Sequence, residues 1–390
     1  MINRLLFIVI LSLPSFNFIE GQVRVRVFAE RESRSAILTI TEGEYDLITY
    51  GEDPLPLKRN DMIAFSIFNG RIALKPGKYS GFTCDSLMLK DRTGRSKFAL
   101  RIVDGGSGIR NYSGALDCFY DLGLIVFINT CETEEYIAGV VRAEGGPGRN
   151  AEYCKAQAVI ARSYLHRNIL RHTLDNYNVC DNIHCQVFFG ITEDALIRKA
   201  ALDTKGLVAL DRSNGSVIVP AFHSNCGGVT SNASDVWLSD LPYLKKVSDP
   251  HCVRSRNATW RKSMPLSKWT SYLKDSGLQA EIKDPAMLNF SQITRHADYR
   301  IGSFSIPFRQ IRSDLDLRSA FFSVVVEGEN IVLKGRGYGH GVGLCQEGAM
   351  AMAAKGFTFR QIIDFYYTGV VIADISDAVP LVDIFAADNP

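Results

Sequence analysis

Residues 133–165 read TEEYIAGVVRAEGGPGRNAEYCKAQAVIARSYL, and this stretch restricts the fold more than any other part of the chain. Tyr136, Val140 and Glu144 fall at helical spacing, as do Ile137 and Val141, so an apolar stripe runs into a carboxylate. Gly145-Gly146-Pro147-Gly148 then ends the helix, because glycine takes up the left-handed C-terminal conformation and proline cannot continue the turn. Asn150 is placed to cap a second helix, on which Cys154, Ala158 and Arg162 form another stripe with an ionisable last member. The spacing predicts two helices meeting at an elbow, with Glu144 and Arg162 each ending a buried face. The plain alternative is that both charges reach past the helix ends into solvent.

Upstream, Arg4 precedes an apolar run at residues 5–13, followed by Pro14 and polar residues up to Gln22. That is the layout of a secretory signal peptide, assigned to residues 1–21, and the run is too short to span a membrane comfortably. The mature chain is therefore expected in the periplasm, the cell envelope or outside the cell; a buried first strand or an uncleaved anchor is the competing reading. Nine cysteines are an odd number, so at least one lies outside any intramolecular disulfide. In an exported chain some pairing is expected, and Cys226 with Cys252 is one candidate. A net charge of +2 over 390 residues supplies no electrostatic argument for a nucleic-acid partner.

From Gln22 onward Val23, Val25 and Val27 alternate with Arg24 and Arg26, the period of a half-buried strand. Further strands are predicted at 36–41, 62–68 and 98–103, separated by Lys75-Pro76-Gly77 and Arg92-Thr93-Gly94 turns. Residues 22–110 thus read as a β-rich N-terminal domain. The glycine-rich segment 104–112 makes a boundary, after which residues 111–375 read as a core of mixed helices and hairpins. Within the core, helices are predicted at 194–203, near 266–273, at 346–355 and at 359–366. Hairpins are predicted for 207–210 with 217–222 about Asn214-Gly215, and for 321–326 with 331–334. Residues 253–310 read as an elaboration, and the tail 376–390 carries little signal. The fold class is α+β.

Two local patterns could carry chemistry. Residues 335–343, GRGYGHGVG, hold five glycines around Tyr338 and His340, a density that lets backbone approach a ligand closely. The loop matches neither a phosphate loop nor a dinucleotide fingerprint. Cys180, His184 and Cys185 have near-metal spacing for zinc, although a short-loop disulfide would use the same cysteines. His223 and Cys226 lie in the turn HSNCGG. Neither a Gly-x-Ser-x-Gly elbow nor a His-Glu-x-x-His motif occurs.

Taken in order, these pieces resemble the SpoIID/LytB family. The resemblance runs from about Tyr112 to Val371 through EEYIAGVVRAE, KAQAVIARSY, CDNIHCQVFFG, HSNCGG and GRGYGHGVGLCQEGAMAMAAKGFTFRQIIDFYYTGV. Two departures stand out: Gly145-Gly146-Pro147 replaces the usual Met-Pro after the glutamate, and Cys345 stands where serine is usual. The resemblance implies a peptidoglycan lytic transglycosylase cleaving between MurNAc and GlcNAc, with Glu144 as its single acid and base. Arg162, expected near Glu144 if the two helices pack across the elbow, would bind substrate by gripping a carboxylate or hydroxyl, or would orient Glu144, and the resemblance implies substrate-binding or architectural roles for His223, Tyr338, His340 and Gln346. No cofactor is required by it, but a zinc ion on Cys180 and Cys185, with His184 as a further candidate ligand, is implied by similarity to at least one relative. Partners would be glycan strands and, by the LytB half of the name, a cell-wall amidase; a non-catalytic amidase enhancer is the alternative function.

Overall fold

Alternating burial builds the N-terminal part of the chain, in a computed structural model that describes residues 21–145, 150–237 and 239–380. The expected signal peptide, most of the elbow (146–149) and residues 381–390 of the tail lie outside the described residues, apart from Gly21 of the first. In β1 (Gln22–Val27) the three valines are buried and the arginines between them are not, as the period of two requires. Eleven more strands follow: β2 (Ala36–Glu42), β3 (Glu44–Thr49), β4 (Leu55–Lys58), β5 (Met62–Phe68), β6 (Arg71–Pro76), β7 (Phe82–Cys84), β8 (Ser86–Asp91), β9 (Lys97–Ile102), β10 (Arg110–Ser113), β11 (Ala115–Asp121) and β12 (Leu124–Glu132). One sheet runs β1-β12-β11-β8-β3-β4 and the other β10-β9-β2-β5-β6-β7. Their inner faces meet through edge-to-face aromatic pairs, Phe65 with Phe127 at 5.7 Å and Tyr45 with Phe98 at 6.0 Å.

The first unit therefore extends to Thr133, and the second begins at Glu134. The boundary expected near residue 110 is too early. Glycine-rich sequence there makes only a turn, and β10, β11 and β12 return to pair with β9, β8 and β1.

The second unit opens with α1 (Thr133–Gly145) and α2 (Ala151–Arg167). Asn150 caps α2 as its position predicts, its side chain accepting the Glu152 N–H at 2.8 Å. Helix α2 is the hub. Ala156, Ala158, Val159, Ile160 and Ala161 are all buried, and small side chains let α3 (Ala195–Asp203), β14 (Leu207–Asp211), α7 (Gln346–Ala354) and α8 (Phe359–Tyr366) pack around it. Between α2 and α3 lies a long loop containing the short β13 (Val179–Cys180).

The remaining elements are β15 (Phe222–His223), α4 (Ala233–Val236), β16 (Thr259–Pro265), α5 (Leu266–Asp275), β17 (Asp298–Ile301), β18 (Phe304–Pro307), α6 (Phe308–Asp314), β19 (Phe322–Glu327), β20 (Asn330–Arg336), β21 (Leu344–Cys345) and β22 (Val370–Asp374). The hairpin expected about Asn214-Gly215 is reduced to its turn and one bridge, Leu210 to Val217. β14 instead forms a full antiparallel ladder with β22, because a distant strand covers its apolar edge better than its own return segment does. The β19–β20 hairpin forms as predicted and takes β16 as a third strand. The elaboration thus has its own core, in which Trp269, Leu273, Tyr299, Phe308 and Ile311 pack on Phe322, Val324 and Leu333 of that sheet.

Candidate functional site

Glu144 sits near the end of α1, half-buried beside the segment that follows the cysteine loop. The Val187 N–H donates to its Oε1 at 3.2 Å, and the Gln346 side-chain amide donates to its backbone carbonyl at 3.4 Å. Burial raises the carboxyl above its ordinary range, with the Val187 hydrogen bond pulling the other way. Residues 186–190 are held against α1 by side-chain contacts one and two turns upstream. Tyr136 donates its hydroxyl to buried Gln186 at 3.2 Å, and its ring lies 5.0 Å from that of Phe188. Gly139 makes this approach feasible: a Cβ there would collide with the Phe188 ring and come 2.5 Å from the Gly190 carbonyl oxygen.

Arg162 is not at this site. The helices run antiparallel across the elbow, so Gly145 meets Tyr153 while residues near the start of α1 meet those near the end of α2. Arg162 accordingly lies beside Glu134, ten residues or roughly 15 Å of helix from Glu144. It is 3% exposed; Nε donates to Glu134 Oε1 at 3.0 Å and Nη2 to Oε2, with further bonds to the carbonyls of Leu207 and Ala201. The structure does not bring it to Glu144, where the sequence predicts it; its guanidinium ties α1, α2, α3 and β14 together.

The other predicted residues gather on the strand pair β15–β21, a parallel contact that places His223 opposite Cys345, immediately before Gln346. His223 is buried, its Nδ1 3.0 Å from the Val342 carbonyl. That contact assigns the proton to Nδ1 and leaves Nε2 as a buried acceptor with no hydrogen-bond partner among the described residues. His340 accepts the Val342 N–H at Nδ1 (3.0 Å), and its ring lies 5.5 Å from His223 and 5.3 Å from Trp237. Burial holds His223 well below the usual histidine range and His340 down at about 4, so both imidazoles are neutral near pH 7. Gly339, at φ 112°, packs where its Cβ would stand 2.8 Å from that of His223, which explains a glycine between Tyr338 and His340. Tyr338 is 46% exposed, with the Arg318 guanidinium 5.9 Å from its ring centre. Glu347, which sequence reasoning passed over, fixes the start of α7: Asn225 and Asn257 each donate to it at 2.6 Å. The elaboration supplies Asn257, a contribution with no local sequence pattern.

The cysteine loop brings four metal-type donors together, not three. Donor atoms of His172, Cys180, His184 and Cys185 lie within 4.8 Å of one another. His184 Nδ1 is 3.6 Å from both sulfurs, and His172 Nε2 is 3.4 Å from Cys185 Sγ. These are close to the edges of a zinc tetrahedron, roughly 3.3–3.8 Å for ordinary zinc bond lengths. The other nitrogen of His172 faces Asp175 at 3.5 Å, the carboxylate support usual behind a ligating histidine. Both cysteines are free thiols, so the short-loop disulfide does not form. His172 was readable as H-x7-C-x3-H-C once the two thiols are taken as ligands.

The description "Stage II sporulation protein" belongs to the family profile that matches residues 123–210, a span containing Glu144, Arg162 and all four donors. An uncharacterised protein of Brachyspira hyodysenteriae is 30% identical over 274 residues, 69% of this chain and 73% of that one. Stage II sporulation protein D of Bacillus subtilis is 30% identical over 265 residues, 62% of this chain and 74% of its own length. The chain belongs to the SpoIID/LytB family. The Bacillus subtilis amidase enhancer is 28% identical over 289 residues, of which this chain spans only 40% of the relative's length. No helix among the described residues is long and apolar enough to cross a membrane.

Proposed function

We propose that this SpoIID/LytB member acts on the bacterial cell wall as a lytic transglycosylase, cleaving glycan strands between MurNAc and GlcNAc. One observation carries the reading: Glu144 is a half-buried carboxyl whose pKa burial raises, with one oxygen anchored by Val187 and no cation among the causes of its shift. Such a carboxyl protonates the leaving glycosidic oxygen. As the resulting carboxylate, it then takes the proton from the MurNAc C6 hydroxyl as that oxygen closes on C1, giving a 1,6-anhydro end. No water is consumed, so the carboxylate pair of hydrolysing glycosidases is not needed. Gln346 and the neutral His223–His340 pair shape the wall of the site, and Tyr338 presents an exposed ring of the kind that stacks on sugars.

His172, Cys180, His184 and Cys185 fit a zinc ion, which would supply a structural cross-link holding residues 172–185 and, through them, Val187. Four protein ligands leave no open position for a catalytic water, which argues against a metallohydrolase built on this loop. Digestion of peptidoglycan and of peptide-free glycan with wild type and Glu144→Gln tests the proposal. Anhydro-ended fragments from wild type alone are expected. A folded wild type that releases nothing, yet raises the activity of a cell-wall amidase, would replace this reading with the enhancer function.

A further inference from the structure

A second cluster lies apart from the cysteine loop and is assigned to nothing above. The sulfurs of Cys226, Cys252 and Cys345 and a carboxylate oxygen of Asp249 all lie within 4.8 Å of one another, and all four residues are buried. Cys226 Sγ is 3.3 Å from Cys252 Sγ and 3.3 Å from Asp249 Oδ2. We infer that these four residues form a binding site for a thiophilic divalent cation of the zinc class.

Three observations support it. First, the separations match the edges of a small tetrahedron, roughly 3.3–3.8 Å for zinc, and they exceed any disulfide bond; Cys226 and Cys252 are free, contrary to the pairing expected from sequence. Second, the surroundings are built to hold negative sulfur and oxygen. Cys345 Sγ accepts backbone N–H bonds from Cys226 at 3.3 Å and Gly348 at 3.4 Å, the latter as the cap of α7. Asp249 accepts the Tyr366 hydroxyl at 3.0 Å and the His251 N–H at 2.8 Å. Gly348 leaves that carboxylate its room, since a Cβ there would run into Oδ2. Third, the Arg295 guanidinium enters this interior with no ion pair among the described residues. It bonds only to the carbonyls of Cys226 (2.8 Å) and Val229 (3.0 Å) and stacks on Phe321. A half-buried cation of this kind is favoured by a nearby negative charge. Three thiolates and a carboxylate around one divalent ion carry a net charge of about −2, which Arg295 partly offsets. Binding displaces the protons of these thiols to solvent.

The ion would staple three segments: the turn after β15, residues 249–252 and the first turn of α7. Those segments carry His223 and Gln346, so the site supports the cleft without touching substrate.

Zinc content and intact mass of the full chain, purified under reducing, chelator-free conditions and reloaded with zinc alone, test this. Cys345→Ser keeps an excellent helix cap and is expected to fold. It and Cys252→Ser should each lose one zinc equivalent relative to wild type, while Cys180→Ser loses a different one, so that combining Cys345→Ser with Cys180→Ser removes both. The inference is overturned if Cys345→Ser and Cys252→Ser both fold by circular dichroism and keep the wild-type zinc content. A wild-type mass short by the two hydrogens of a Cys226–Cys252 disulfide overturns it equally. Failure at Cys180 alone would strike only the cysteine-loop site.

Discussion

Glu144 and Arg162 looked alike in the sequence, each an ionisable residue ending a buried helical stripe, and they have opposite fates. Arg162 is paired with Glu134 in the interior, where removing one partner strands the other charge. Arg162→Ala should therefore cost about 3–5 kcal/mol of stability. The double variant with Glu134→Ala should cost less than the sum of the two single changes, measured by denaturant unfolding as a mutant cycle. Glu144 is different because burial raises its pKa in the folded state above its unfolded value. Below the unfolded value both states hold the proton and there is no penalty; as pH rises through the folded value the native state loses stability relative to the unfolded chain. Glu144→Gln should thus melt higher than wild type above neutrality and no higher near pH 4, while the proposed glycan cleavage is lost at both. A stability curve parallel to wild type at every pH would show that burial does not control this carboxyl.

At the scale of elements, local grammar was readable and long-range pairing was not. Asn150 and Thr358 cap their helices as side-chain chemistry dictates, and α8 spans the residues predicted for it. The β14–β22 ladder and the return of β10–β12 to the first unit escaped, because a strand's partner is chosen by the face it covers, not by neighbouring residues. The position of Arg162 escaped for a related reason: the residues show that two helices meet at an elbow, but antiparallel geometry decides which ends touch. Gly139 tests how closely α1 must approach residues 186–190. Alanine is the better helix former by about 1 kcal/mol, yet here its methyl meets Phe188 and the Gly190 carbonyl. Gly139→Ala should lose about 1–3 kcal/mol net, and by displacing Val187 should reduce kcat more than KM. Thermal melts and steady-state cleavage rates on solubilised glycan would check both.

Across the whole molecule, three of the loop's four donors (Cys180, His184 and Cys185, but not His172) and the family motifs were legible, because ligand spacing and glycine density survive in linear sequence. The Cys226–Asp249–Cys252–Cys345 cluster was not, since its members come from three separate segments. The same dispersion has a consequence for timing. Glu144 and the Gln346 amide that meets its carbonyl are 202 residues apart, and the β14–β22 ladder joins Leu207 to Asp374. Contacts between such distant residues form slowly, after nearby helices have closed. In refolding from denaturant, helical circular dichroism should recover before glycan cleavage does, with a lag between the two; simultaneous recovery would contradict it. A chain with these late contacts would have its acid in place on α1 long before the acid has a pocket to work in. If it cleaves glycan as proposed, it would be harmless to glycan until its last helices settle.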